Sequence, residues 1–337
     1  MYNKTDNYFC LQWIGRDGPE ELPYFSDKKV IDCNLSYGFS NKLTHIPVML
    51  SGNIKNRKDK LKIQVEILEE VPIYTNIHFL KSHLQKAIRL KDYSRAISTA
   101  KHLLDIDPIQ FLRRFSIIII EDSSLNQYYS TLIWLMVAVS SGKMSLQLHH
   151  IEWLLGLVYL VCDSPFKEDY APIDKPVKYI LENIDKLDKY QAANIQAILI
   201  RASFGGMAGD TNMLLNAAHI WLERFQEPEG KWREYFYNPM RTISASVLPL
   251  PKKDWYLSAI DYHCFPKLIT WINEALEEPM EDSDLKSIIW NCSSKTNYRK
   301  DYNGKQNITL TNYQKSQWET VKKHFYSIAK YAIKNYS

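Results

Sequence analysis

His78-Phe-Leu-Lys-Ser-His-Leu-Gln-Lys-Ala-Ile-Arg-Leu-Lys-Asp92, with the Tyr93–Leu104 stretch behind it, decides the fold class. Leu80, Leu84, Ala87 and Ile88 recur at three-four spacing, and Tyr93, Ile97, Ala100, Leu103 and Leu104 repeat the pattern. That spacing predicts two amphipathic helices, each with one stripe to bury. Asp107-Pro108 opens a third, with proline in its favoured first turn and Phe111, Phe115 and Ile118 to Ile120 as its core. The same reading predicts helices near 125–141, 145–162, 174–185, 188–203, 210–226 and 312–335. Leu132 to Val139 is apolar but far shorter than the roughly 20 residues of a membrane span, so it reads as a buried helix. Hairpins between neighbouring helices are the default packing.

Outward from this array the pattern changes. Leu61-Lys-Ile-Gln-Val-Glu-Ile67 alternates apolar and polar residues and predicts a strand, with Ile46-Pro-Val-Met-Leu50 and Val30-Ile-Asp-Cys-Asn-Leu35 as partners. Pro228, Gly230, Pro239, Pro249 and Pro251 make 226–256 irregular. Glu274, Glu277, Glu278, Glu281, Asp282 and Asp284 form an acidic patch. Three segments are therefore expected: a β-rich 1–75, a helical array over 76–294, and a basic, aromatic 295–337 ending in a helix.

Four elements stand in a fixed order: the Lys81-Ser82…Lys86-Ala-Ile-Arg89…Asp92 helix, Arg113-Arg114, Glu121-Asp122 eight residues on, and Val158-Tyr-Leu-Val-Cys-Asp-Ser-Pro165. In that order they resemble the helical C-terminal region of clamp-loader-related ATPases of the replication-associated recombination protein A and Werner-helicase-interacting type. The resemblance covers roughly residues 78–168 and departs from the family pattern at Leu90-Lys-Asp92 and Ser123-Ser-Leu125, where glycine-containing turns are usual. It implies a collar-like, oligomerising helical array, with Arg113, Arg114, Glu121 and Asp122 as contacts between helices or subunits. The fold class expected is mainly α: a collar-like helical array with a small N-terminal β-rich element.

The ATPase module of that family is not recognisable. A phosphate-binding loop needs Gly, four residues, then Gly-Lys-Ser/Thr, so that backbone amides cradle the phosphate. Gly142-Lys143 has Val137 and Met144 at the deciding positions, Gly230-Lys231 is followed by Trp232, and Gly304-Lys305 by Gln306. Any ATPase partner would act in trans, and no cofactor is expected. The start Met1-Tyr-Asn-Lys-Thr-Asp6 lacks the basic and apolar regions of a secretory signal, and the five cysteines form no CxxC pair. The expectation is an intracellular protein, cytoplasmic or nuclear, with no membrane partner and no metal site.

Charge is uneven. From Lys295 to Ser337 nine Lys/Arg face Asp301 and Glu319 alone, a net +7 that leaves −3 on the rest of a chain whose total is +4. Aromatics interleave with these bases, and cations that neutralise phosphate beside rings that stack on bases are the usual means of nucleic-acid contact. The same pattern also fits a solvated helix with its aromatics in the core. The turn after Trp290 adds hydroxyl, amide and guanidinium groups that suit a phosphate clamp, or an ordinary surface loop. The candidate contacts are Ser293, Ser294, Asn297, Arg299, Lys300, Lys315, Lys322 and Lys323.

Two further constellations carry chemistry. In Phe204-Gly-Gly-Met-Ala-Gly-Asp210, Gly205 and Gly206 with Arg201 before them could bind an anion at a helix start, or simply close a helix with Asp210 as cap. In Ala259-Ile-Asp-Tyr-His-Cys-Phe-Pro266, Asp261, His263 and Cys264 could hold catalysis, or form a packed polar corner. The preferred reading is a non-ATPase, nucleic-acid-associated accessory protein of replication, recombination or repair, acting on DNA rather than RNA, with a homo-oligomer as a further expected association. The alternatives are an enzyme on a nucleotide or nucleic acid at Asp261/His263/Cys264, and a helical interaction scaffold.

Overall fold

A computed structural model describes residues 76–337 apart from 174–176, 228, 231, 297, 302–303, 305–309 and 336–337, together with the backbone of 2–3, 8–9, 29–39 and 42–52. From residue 76 onward every regular element among the described residues is helical, and no strand occurs. Upstream, the described residues form two two-stranded antiparallel ladders, Tyr2–Asn3 with Tyr8–Phe9 and Lys29–Phe39 with Lys42–Gly52. The expected small N-terminal β-rich element is therefore corrected. Two-stranded ladders do not amount to a β-rich element, which takes three or more paired strands. The strand expected at 61–67 lies outside the described residues.

The chain divides into two compact units: Met1–Val65 with Phe115–Leu146 and Tyr170–Pro239, and Glu66–Arg114 with Gln147–Asp169 and Met240–Ser337. In the second unit α1 (Ile77–Arg89), α2 (Tyr93–Ile106) and the start of α3 (Pro108–Asp122) begin where the caps say they should. Asn76, Asp92 and Asp107 each accept a hydrogen bond from the amide three residues on, at 3.0 Å in every case. An N-cap of this kind satisfies a donor that the first turn leaves open. The α1–α2 turn is closed by Lys91 at φ 58. Phe79, Leu80, Leu84, Ala87 and Ile88 of α1 and Ala96, Ala100 and Leu103 of α2 are fully buried.

Against this hairpin lies α5 (Leu148–Asp163). Its Gly156 is crossed by the 241–243 segment so closely that an added Cβ would fall 2.1 Å from the Arg241 carbonyl oxygen. Ile243 N–H donates to the Glu152 carbonyl at the same crossing, at 3.1 Å. Later in the chain α10 (Leu268–Ala275) and α11 (Asp282–Ser293) both pack on the long α12 (Asn312–Asn335). Helix α11 begins at the end of the expected acidic patch: its first turn is acidic, while Leu285, Ile288 and Ile289 give it a buried stripe.

The first unit is built round α4 (Tyr129–Ser140), whose residues from Tyr129 to Val139 are all buried. A helix apolar on every side must be covered on every side. Helix α7 (Lys189–Ser203) packs on α4 and on α8 (Ala208–Gln226), which also holds α6 (Val177–Asn183). Trp221 and Phe225 of α8 meet Trp232 and Phe236 of the short α9 (Trp232–Phe236) in T-shaped and tilted contacts at 5.0–5.9 Å. No described helix is long and apolar enough to cross a membrane.

Candidate nucleic-acid interface

Helix α12 starts at a reciprocal cap. The Thr311 hydroxyl oxygen accepts from Gln314 N–H at 3.1 Å, and Gln314 Oε1 accepts from Thr311 N–H at 3.0 Å. This Thr-x-x-Gln box satisfies two amides at once. Val321, Phe325, Ala329, Ala332 and Ile333 then turn one face into the core. The expected stripe through Trp318 and Ile328 holds in phase, but those two sit at its half-buried margins.

The opposite face carries the charge. Lys323, Lys330 and Lys334 lie seven and four residues apart, so they share one side of the helix, and all three are exposed. Lys315 is exposed as well, while Lys322 is half-buried and donates to Glu319 one turn back. Tyr313 is 64% exposed and Tyr331 53%. Lysines near the last turn also complement the helix dipole. That local effect does not need Lys315 or Lys323, or two tyrosines left in water.

The turn before this helix has a different role. Ser293, Ser294 and Arg299 are buried, with Arg299 only 3% exposed. Its guanidinium donates to the carbonyl oxygens of Ile88, of Cys162 at 2.6 Å and of Val161 at 3.1 Å. Those carbonyls close α1 and α5, where unpaired C=O groups and the dipole concentrate negative charge. One arginine thus caps two helix ends remote in sequence. Arg89 answers from the other side by donating to the Ser294 carbonyl at 3.0 Å, and the Ser294 hydroxyl donates to the Trp290 carbonyl. The phosphate clamp expected at Ser293, Ser294 and Arg299 is therefore corrected: these groups hold the protein's own carbonyls, or lie in its interior. Asn297 lies outside the described residues, and Lys300 is exposed.

The structure brings Asp261, His263 and Cys264 together in a latch. Asp261 Oδ2 accepts from the Ser82 hydroxyl at 2.9 Å and from Lys86 Nζ at 3.2 Å, while Oδ1 accepts from the amides of His263 at 2.9 Å and Cys264 at 3.2 Å. Burial alone would raise this carboxyl. The hydrogen bonds from His263 and the charge of Lys86 outweigh it and hold Asp261 well below the usual carboxylate range. Lys86 is 2% exposed, and burial lowers its ammonium pKa against the pull of Asp261. Burial, with Asp261 nearby, pushes the Cys264 thiol up to about 12. The thiol donates to the Ala259 carbonyl at 3.3 Å. A protonated, buried thiol is a poor nucleophile. The His263 ring is largely exposed, 3.4 Å from Asp261 Oδ1. Nothing in the sequence signalled that Lys86 and Ser82 would be the partners of Asp261, because they lie more than 170 residues away.

At the glycine loop Arg201 is buried, and its guanidinium is turned inward, to the Ser116 hydroxyl at 2.8 Å and the Gly205 carbonyl at 3.0 Å. Gly205 and Gly206, at φ 75 and 146, adopt conformations that other residues rarely take. The arginine is thus a strut for the loop rather than a cation presented to solvent. Among the described residues no group of His, Cys, Asp and Glu could hold a metal ion.

Part of the chain resembles a viral protein. Over 99 residues it is 28% identical to "Putative helicase L115" of Acanthamoeba polyphaga mimivirus, a match of 28% of this chain and 7% of that protein. The chain therefore spans a small fraction of that relative's length. No family model matches the chain, and no solved structure does. With the helical fold, the match relates a stretch of this chain to a helicase-named protein, and no more closely than that.

Lys330, Lys334, Tyr313 and Tyr331 were not among the expected contacts, although their spacing was legible. Lys323, Lys330 and Lys334 are in helical register with one another and out of register with the apolar stripe.

Proposed function

We propose that this chain is a non-ATPase accessory protein of DNA replication, recombination or repair, and that it contacts nucleic-acid phosphates through the solvent face of α12. The observation that carries this reading is the run of exposed Lys315, Lys323, Lys330 and Lys334 beside exposed Tyr313 and Tyr331. Lys300 and Lys322 extend the same basic surface in sequence. The similarity to the helicase-named viral protein and to the collar region of clamp-loader-related ATPases favours DNA as the polymer and an ATP-driven partner acting in trans. In this role the Arg299 and Asp261 clusters are scaffold that holds α12 in place.

The test is binding of the purified chain to labelled single- and double-stranded DNA and RNA across a salt series. Phosphate contacts from Lys323, Lys330 and Lys334, which share one side of α12, predict a log–log salt slope of about −2 on single strands and about −3 on duplex. Lys323→Glu with Lys330→Glu lies on the exposed face, so the variant is expected to fold normally and to lose at least tenfold in affinity. Unchanged affinity in that variant, or no binding by the wild type at low salt, would end the reading.

A further inference from the structure

Among the described residues only two besides glycine hold the left-handed backbone, Lys91 at φ 58 and Lys295 at φ 61. Each stands just past a helix, Lys91 after α1 with Leu90 as cap and Lys295 after α11 with Ser294 as cap. Glycine is the usual residue at that place, because a Cβ at this φ crowds the following carbonyl oxygen. A base past a helix end ordinarily serves the dipole. Here that need is already met. Helix α1 has Lys86 and Arg89 in its last turn and Arg299 on the Ile88 carbonyl, and Arg89 holds the Ser294 carbonyl at the end of α11. Two lysines thus occupy strained backbone that the helices do not require of them, and strain of this kind gathers at binding sites.

The same arginine contacts bring the ends of α1, α5 and α11 into one neighbourhood, and they occupy carbonyls that would otherwise repel an anion. Lys91 registers the local field. Burial lowers its ammonium pKa, and repulsion from Arg299 adds more to this than attraction to Asp163 offsets. Lys295 and Lys300 are exposed, and Tyr298, whose amide donates to the Lys295 carbonyl at 3.2 Å, is 59% exposed between them. Tyr93, two residues past Lys91, is also exposed and rests its ring on Tyr159 of α5 at 5.3 Å. The acids on this surface are Asp163, exposed, and Asp301, half-buried. Lys167, whose amide donates to the Lys300 carbonyl at 2.9 Å, is matched by exposed Asp169. The Asp92 carboxylate is engaged by Arg95 and Tyr256, and the acidic turn of α11 lies at the far end of that helix from Lys295.

An anion suits lysines held in a positive field, and flat exposed rings suit unpaired bases, whose faces a duplex hides. We infer that the α1–α2 turn and the turn after α11 form a second contact surface for single-stranded nucleic acid, with its phosphates on Lys91, Lys295 and Lys300 and a base stacked on Tyr298. The inference rests on the nucleic-acid reading of α12 and adds a site to it. An acidic peptide would meet the same lysines but would leave the Tyr298 ring unused.

Lys91→Gly with Lys295→Gly separates the ligand from the backbone. Glycine fits a φ near 60 and removes two cations, so the double variant is expected to melt no lower than the wild type. On labelled oligothymidine it is expected to bind about tenfold more weakly at low salt, with a log–log salt slope shallower by about 1.4, two contacts at about 0.7 each. Tyr298→Ala, an exposed change, is expected to weaken single-strand binding about tenfold and duplex binding little, the scale set by base–aromatic stacking. A double variant that melts lower yet binds as wild type would make the lysines helix caps and overturn the inference. If the double variant and Tyr298→Ala both bind as wild type while Lys323→Glu with Lys330→Glu does not, this surface falls and the α12 face stands. If the wild type binds no nucleic acid, both readings fall. Polyglutamate binding that the double variant loses, with oligothymidine binding unchanged, would overturn the site in favour of an acidic protein partner.

Discussion

Replacing Arg299 by methionine isolates what one buried guanidinium does for this fold. Methionine keeps much of the apolar stem and removes every donor, so the Ile88, Val161 and Cys162 carbonyls lose their cation together. Hydrogen bonds to a charged group contribute about 1.5–3 kcal/mol each, and a buried acceptor left unpaired costs about 1–3 kcal/mol. The three bonds share one donor group and are not additive, so the expected loss is about 3–5 kcal/mol rather than their sum. That is a large part of the stability of an ordinary domain. Urea unfolding followed by circular dichroism reads it as a lower midpoint at unchanged slope. Arg299→Lys should recover only part of the loss, because an ammonium cannot span carbonyls of two helix ends in the planar fork that guanidinium provides. An Arg299→Met protein that unfolds at the wild-type midpoint would refute the double-cap account. So would one that folds as wild type yet loses affinity for DNA, which would return Arg299 to the surface role its sequence context suggested.

Two further outcomes follow from buried titratable groups. His83 is fully buried, with Nδ1 2.8 Å from the Thr99 hydroxyl, which itself donates to the Arg95 carbonyl at 2.7 Å, so the ring donates and is neutral. Burial, aided by Arg95, lowers its pKa to about 3. The unfolded chain therefore binds the proton first. Stability should fall as pH drops from about 6.5 towards 3, by up to about 1.4 kcal/mol per pH unit, and His83→Gln should flatten that slope in pH-dependent urea melts. Asp261 acts in the same direction, in a lower pH window. Its depressed pKa gives stability that is complete above the ordinary carboxylate range and is lost as pH falls through and below about 4. Asp261→Ala leaves Lys86 buried without its carboxylate and should cost about 3–5 kcal/mol in thermal or urea unfolding; near-native stability would deny the latch.

Much of the helical framework was legible in the chain because its signals are local. Asn76, Asp92, Asp107-Pro108 and the three-four spacing between them set the starts of α1, α2 and α3, and the unbroken apolar run at 132–139 marked α4 as buried. The Leu285, Ile288, Ile289 stripe of α11 was equally local, but the acidic residues before it hid it. The alternation at 30–35 and 46–50 gave strand periodicity, but two paired strands do not by themselves make a β-rich element.

The candidate site divides along the same line. The sequence by itself determined that a phosphate-binding loop is absent, that basic charge gathers after residue 294, and that α12 separates an apolar face from a lysine face, since each depends on neighbours within a turn or two. It could not determine which cations face water. Arg299 and Lys323 are both basic residues among aromatics, yet one closes helix ends 138 and 211 residues away and the other is exposed. Arg201 and Asp261 were likewise assigned only when Ser116, Ser82 and Lys86 arrived beside them. A side chain's destination is fixed by the unpaired groups that the fold brings near it, and tertiary packing alone supplies those groups.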